Sequence, residues 1–123
     1  MFQGLRTLTY GVKDLAAAKA WYTGILGFEP YFDQPFYVGY EVGGYELGLD
    51  PNSPVGTGER TGPLAYWGVD NIEAAFAQLV EKGAKGLSKP EEVGDGIKVA
   101  ALSDPFGNVF GIIYNPHFKL PGQ

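Results

Sequence analysis

One local pattern occurs twice along this chain. Asp14 opens an alanine-rich amphipathic stretch that ends at Gly27, and 56 residues later Asp70 opens another that ends at Gly83. Each stretch runs 13 positions from Asp to Gly and follows a short β-like run, at 5–12 or at 63–69. Repetition at about half the chain length implies two copies of one small unit that bury their apolar faces together. Two such half-sheets are expected to form a concave cup, the kind of surface that holds a small molecule.

With 123 residues the chain is the size of one domain. At that length about two-thirds of the unfolded surface can be hidden without disulfides or metals. The formal net charge of −5 argues against nucleic acid, which requires a basic face. No apolar run approaches the roughly 20 residues of a membrane helix, so no membrane partner is expected. Cysteine is absent, which removes disulfide and thiol chemistry and fits a cytoplasmic location. No charged, then apolar, then small-residue leader is read at the N-terminus, which fits the same expectation.

The spacing predicts a strand over 5–12 and a helix over 15–26. Asp14 suits the N-cap, because its carboxylate can accept from the free amides of the first turn. Leu15, Ala18, Tyr22 and Ile25 share a face, and Gly27 suits a left-handed stop. Extended runs follow at 28–33, 36–42 and 45–50, the last two joined by Gly43-Gly44, a primed-turn signal. With Val42 opposite Tyr45, alternation puts Phe36, Val38, Tyr40, Val42, Tyr45, Leu47 and Leu49 on a helix-covered side. Tyr37, Gly39, Glu41, Glu46, Gly48 and Asp50 then fall on the other side. Residues 51–63 read as a linker by their Pro and Gly content.

The second copy reads as a strand at 64–69, a helix at 72–82 capped by Asp70, an extended stretch at 84–93, and a hairpin of 97–103 with 109–114. Asp104-Pro105-Phe106-Gly107 forms the hairpin turn, and 115–123 is an irregular tail. The helical face is expected to hold Ile72, Ala75, Phe76, Leu79 and Val80, and Trp21, Tyr22 and Phe76 to be core. Each half is thus βαβββ, with helices on one sheet face only, which indicates an α+β fold forming a cupped mixed sheet. The organisation is one domain: unit one about 1–52, linker about 51–63, unit two about 63–115, tail 116–123.

The two βαβββ units, with the phrases DLAAAKAWYTGILGF and DPFGNVFGIIYNP, resemble the vicinal oxygen chelate superfamily, the glyoxalase, bleomycin-resistance and extradiol-dioxygenase group. In its metal-using members a His at the start of each unit's first strand and a Glu in each unit's last strand hold one divalent metal. Carried over, those four positions are Thr7, Glu46, Leu64 and Gly111. Only Glu46 offers a ligand, and a lone carboxylate does not hold a catalytic divalent ion, which normally needs three or more protein ligands. No cofactor is therefore expected, and the metal-assisted chemistry goes with it. A divalent metal enters only through a nonstandard site, such as one from Glu46 and His117 with water.

Alternation points Tyr37 and Tyr66 away from the helices, beside Thr7 and Thr9, and the resemblance places Phe106 at the rim of the cup. The candidate ligand-binding residues are Thr7, Thr9, Tyr37, Glu46, Tyr66 and Phe106. Clustered Glu41, Glu46 and Asp50 would focus a negative potential that favours a cationic or neutral aromatic ligand. The acidic, metal-free bleomycin-resistance members that the chain resembles bind cationic glycopeptides in dimer grooves. The first reading is thus a metal-free, homodimeric small-molecule binding protein that holds a hydrophobic or cationic ligand. The second is a lyase, isomerase or dioxygenase-like enzyme with a nonstandard metal site or with Glu46 as the catalytic base. A third makes the open sheet face a protein–protein surface. The lone His117 is either an acid/base group or simply exposed. No G-x-S-x-G supports serine catalysis.

Overall fold

The computed structural model describes residues 1–120. The chain divides into two compact units, Met1–Thr57 and the stretch from Gly58 onward. Unit one contains β1 (Thr7–Gly11), α1 (Leu15–Leu26), β2 (Phe32–Gln34), β3 (Tyr37–Val42) and β4 (Tyr45–Asp50). Unit two contains β5 (Tyr66–Gly68), α2 (Ile72–Glu81), β6 (Lys85–Gly94), β7 (Ile97–Ser103) and β8 (Val109–Tyr114). The strand orders, β1-β4-β3-β2 and β5-β8-β7-β6, are the same when counted from each unit's first strand. In each, the first strand runs parallel to the last and the other pairs are antiparallel. This is the α+β pair of βαβββ units expected from the repeat. No helix of the described residues is long and apolar enough to cross a membrane.

Each helix covers one sheet face, α1 against β3 and β4, and α2 against β6, β7 and β8. The hairpin register is the expected one: Val42 pairs with Tyr45, Tyr40 with Leu47 and Val38 with Leu49. Gly43 (φ 58°) and Gly44 (φ 92°) both take the left-handed backbone of a primed turn, a conformation that side chains disfavour. Val38, Tyr40, Leu47 and Leu49 are buried with Ala18 and Tyr22 of α1. The Tyr40 hydroxyl donates to the Lys19 carbonyl at 3.0 Å and shares a 2.8 Å bond with the Thr23 hydroxyl, which fixes α1 to β3. Burial pushes the Tyr40 phenol above its ordinary pKa.

Several expectations change at element ends. Asp14 does cap α1, accepting from the Ala17 amide at 3.0 Å, and Gly27 (φ 84°) ends it. In α2 the cap is Asn71, not Asp70: its side chain accepts from the Ala74 amide at 3.0 Å. The helix phase is fixed by buried Ile72, which leaves Asp70 one position too early to reach the first-turn amides. The strand expected at 28–33 is only the three residues of β2, because Pro30 has no N–H to add to a ladder. Gln34 pairs with Tyr37, so Pro35-Phe36 is a two-residue turn and Phe36 is exposed rather than helix-covered.

Tyr45 and Val80 are likewise exposed, the first beside the Gly43-Gly44 turn and the second in the last turn of α2. Val42 is only half-buried. Of the three aromatic residues expected in the core, Tyr22 is fully buried while Trp21 and Phe76 are half-buried. The Trp21 ring stands edge-on to Tyr22, with centroids 4.9 Å apart. Phe76 packs on Gly86 of β6, where an added Cβ would lie 2.6 Å from its ring. The ladder of β6 is broken by register shifts around Ser88 and Glu91, where Pro90 removes a donor from this edge strand. From Asn115 to Leu120 the chain has neither helix nor strand, and 121–123 of the expected tail lie outside the described residues.

The cap assignment gives a direct test. Asn71→Ala is expected to cost about 1 kcal/mol in urea unfolding, and Asp70→Ala close to nothing. The reverse order would show that the helix starts one residue earlier in solution. Tyr40→Phe, which removes a buried hydroxyl from two partners, is expected to cost about 1 kcal/mol by the same measurement.

Candidate functional site

The helix-free face of unit one is built by the register of its four strands. Thr7 of β1 lies opposite Glu46 of β4, and Thr9 opposite Gly48. Gly48 pairs with Gly39 of β3, and Gly39 with Phe32 of β2. Partners in a ladder share a face, so Phe32, Gly39, Gly48 and Thr9 form one row across the sheet. Glu46 and Tyr37 stand beside that row.

Glu46 is the polar centre of this face. The Tyr37 hydroxyl donates to its Oε2 at 2.5 Å, and the Tyr31 hydroxyl donates to its Oε1. The Tyr37 ring lies low across the two glycines. A Cβ at Gly48 would sit 2.0 Å from the Tyr37 hydroxyl oxygen, and one at Gly39 3.3 Å from its ring. Phe32 stands 6.1 Å from Tyr37, centroid to centroid, with Phe36 a further 5.9 Å from Phe32. The half-buried carboxylate is therefore flanked by a group of aromatic rings, of which Tyr31, Phe32 and Phe36 are exposed.

The other two carboxylates expected on this face are engaged by nearby loops. Glu41 accepts from the Gly44 amide at 2.6 Å, inside the hairpin turn. Asp50 accepts from the Asn52 amide at 2.8 Å and from the Ser53 hydroxyl at 3.0 Å, which starts the loop after β4. Thr7 and Thr9 are exposed on the edge strand β1.

In unit two, Tyr66 pairs with Gly111 and its ring covers that glycine, where an added Cβ would lie 2.4 Å from the ring. Ala101 pairs with Gly111 and with Ser88, and Val99 with Ile113 and with Glu91, so the helix-free face of this unit is apolar along β7 and β8 and polar at its β6 edge. Phe106 is half-buried in the β7–β8 turn. Its amide donates to Asp104 Oδ1 at 2.9 Å, as does that of Asn108, which confirms Asp104 as the turn-former. His117 is exposed, and its Nε2 lies 2.9 Å from the Asp95 carbonyl at the β6–β7 turn.

The structure thus brings Tyr37 and Glu46 together with Thr7 and Thr9 on unit one, and places Tyr66 and Phe106 on unit two. Sequence reasoning missed Tyr31 and Phe32. The missing signal was the Pro35-Phe36 turn, since pairing Gln34 with Tyr37 would have put Phe32 opposite Gly39.

The donors at the four positions implied by the resemblance do not fit a divalent metal. Thr7 is a neutral exposed hydroxyl, Leu64 has no donor, and Gly111 lies under the Tyr66 ring. The repeat adds a second reason. The Val12 amide donates to the Asp50 carbonyl at 3.1 Å, as the Val69 amide does to that of Ile113 at 2.9 Å. Counting back from these equivalent bonds, Gly111 corresponds to Gly48 and Val109 to Glu46. Glu46 and Gly111 are therefore not equivalent positions in the two units. Among the described residues no group of three or more His, Cys, Asp or Glu side chains gathers to hold a metal ion.

The seating of a ring on a glycine is measurable. Gly111→Ala is expected to cost about 1–3 kcal/mol through overpacking against Tyr66. In a Tyr66→Ala background the same change is expected to be near neutral. Additive costs in this double-mutant cycle would show that the ring does not occupy the glycine's space.

Residues 4–112 match the family model described as Glyoxalase/Bleomycin resistance protein/Dioxygenase superfamily. No curated protein matches. Among solved structures, a glyoxalase-related enzyme from Fulvimarina pelagi is similar with a TM-score of 0.78 at 21% identity, over 98% of this chain and 94% of that one. A glyoxalase/bleomycin resistance protein/dioxygenase superfamily member from Sphaerobacter thermophilus gives 0.74 at 25% identity, over 94% and 99%. A glyoxalase/bleomycin resistance protein/dioxygenase family enzyme from Burkholderia phytofirmans gives 0.70 at 22% identity, over 88% and 95%. With the family model spanning most of its length and the strand order repeated in both halves, this chain belongs to the glyoxalase/bleomycin resistance/dioxygenase superfamily.

Proposed function

We propose that this chain is a metal-independent small-molecule binding protein, holding a hydrophobic or cationic ligand on the helix-free face of its sheets. The observation that carries this reading is Glu46, a half-buried carboxylate that accepts from two phenols beside exposed aromatic rings. Such a surface combines apolar area with one fixed charge, the composition typical of ligand sites. Thr7, Thr9, Tyr37 and Glu46 form the binding set of unit one. Tyr66 and Phe106 are the candidate contact residues of unit two, taken by itself. The net charge of −5 favours neutral or cationic compounds over anions and nucleic acid.

The competing reading is a lyase, isomerase or dioxygenase-like enzyme with Glu46 as base or with a nonstandard metal. The hydrogen bonds at Glu46 weigh against the base, because a phenol donates to each of its oxygens and crowds the approach of a substrate C–H. A homodimer acting in the cytoplasm completes the proposal. Its support is the exposed apolar group Met1, Phe2 and Leu5 ahead of β1, together with the absence of cysteine from the sequence.

Thermal unfolding of chelator-free protein with equimolar Ni, Zn, Mn or Fe(II) is expected to shift Tm by less than about 1 °C. A library of aromatic and cationic compounds is expected to contain members that raise it by several degrees. Stabilisation by metal alone would move the assignment to the enzyme reading. A dimer mass by light scattering is the expected oligomeric result.

A further inference from the structure

We propose that the aromatic face around Glu46 recognises a quaternary ammonium group. This rests on the reading of unit one as a small-molecule site and names the ligand chemistry.

Three features of the face lead there. The first is charge without a matching cation. Glu41 and Glu46 are directly opposite in the β3–β4 ladder. Like charges placed so are mutually unfavourable. Arg6, adjacent to the site in sequence, donates instead to the Leu5 carbonyl at 3.2 Å. Lys19, the cation of α1, is paired with Asp33 on the opposite, helix-covered side. A bound cation would relieve the repulsion.

The second is the ring arrangement. Tyr37 lies across Gly39 and Gly48, its ring and hydroxyl filling the space a Cβ would take at either position. Phe32 stands tilted at 60° to it, and Phe36 at 64° to Phe32. A group of rings beside a carboxylate suits a cation, which is attracted to aromatic rings within about 6 Å of their centroids.

The third is the hydrogen bonding of the carboxylate. Each Glu46 oxygen already accepts from a phenol. A primary ammonium seeks acceptors for three N–H groups, and the phenols leave only one further lone pair on each Glu46 oxygen. A fully alkylated nitrogen brings no donors, and is held by charge and ring contact alone. The phenols also orient the carboxylate, so its charge is fixed before the ligand arrives.

The test is titration of the full chain, followed by amide chemical shifts, with three probes of related shape. Choline carries the quaternary nitrogen, 3,3-dimethylbutan-1-ol is its neutral isostere, and ethanolammonium is its primary analogue. Choline is expected to perturb the amides of Gly39, Glu46 and Gly48 and to bind about tenfold or more tightly than either other probe. Glu46→Gln and Phe32→Ala are each expected to weaken choline binding by about tenfold. Their folding is checked by urea unfolding, and a second variant at the rim, Phe36→Ala, is expected to weaken binding less. Equal binding of the neutral isostere would overturn the cation assignment while leaving a small-molecule site in place. Equal or tighter binding of ethanolammonium would overturn the quaternary preference. Silence from all three probes would overturn the proposal, and the compound library above would then decide separately whether the face binds small molecules.

Discussion

Pairing of Val42 with Tyr45 across Gly43-Gly44 sets the side on which every residue of β3 and β4 stands. Strand side chains alternate, so a slip of one residue would send Val38, Tyr40, Leu47 and Leu49 to solvent and Glu46 toward α1. Burial of those four apolar side chains resists such a slip, and the two glycines permit the tight turn that enforces the register. The candidate site depends on the same constraint. Glu46 meets Tyr37 only because a core on the opposite face holds both strands in place.

Glycine has a second use on the helix-free faces. Gly48 and Gly111 occupy equivalent places in the two units, and each lies under a tyrosine ring. The rings arrive from different strands, Tyr37 from β3 and Tyr66 from β5. The same space over the sheet is filled in both units, by different routes. A ring resting on bare backbone recovers the contact that a glycine in a strand forfeits. It also replaces any donor side chain at that place with an aromatic surface. At Gly111, one of the four positions the resemblance implies, the Tyr66 ring thus fills the space a donor side chain would need.

The fold was legible because its signals are local and repeated: two capped amphipathic stretches, a double-glycine turn and an Asp-Pro-x-Gly turn. Alternation in the hairpin then placed Tyr37 and Glu46 on the correct face. The reading failed where periodicity gives no phase. Asp70 and Asn71 are both good caps, and only the burial of Ile72 decides between them. Phe36 continues an apolar alternation but lies in a turn set by pairing between Gln34 and Tyr37. Tyr31 precedes β2, and its bond to Glu46 joins residues 15 apart, which no strand or helix period reports. The carboxylates of Glu41 and Asp50 were correctly placed on the face, yet local backbone donors hold them.

The two units share a strand order but differ in chemistry. On unit one the helix-free face carries carboxylates, threonines and aromatic rings, whereas on unit two its centre carries Val99, Ala101, Ile113 and the Tyr66 ring, with Ser88 and Glu91 at the β6 edge. A repeated backbone specifies where side chains stand and leaves their identity free, so each copy can diverge without disturbing its core. The proposed recognition would require little beyond the sheet itself. The backbone fixes the tyrosine on its glycines and the phenols fix the carboxylate, and a charge held in this way would bind the proposed ligand without reorganising.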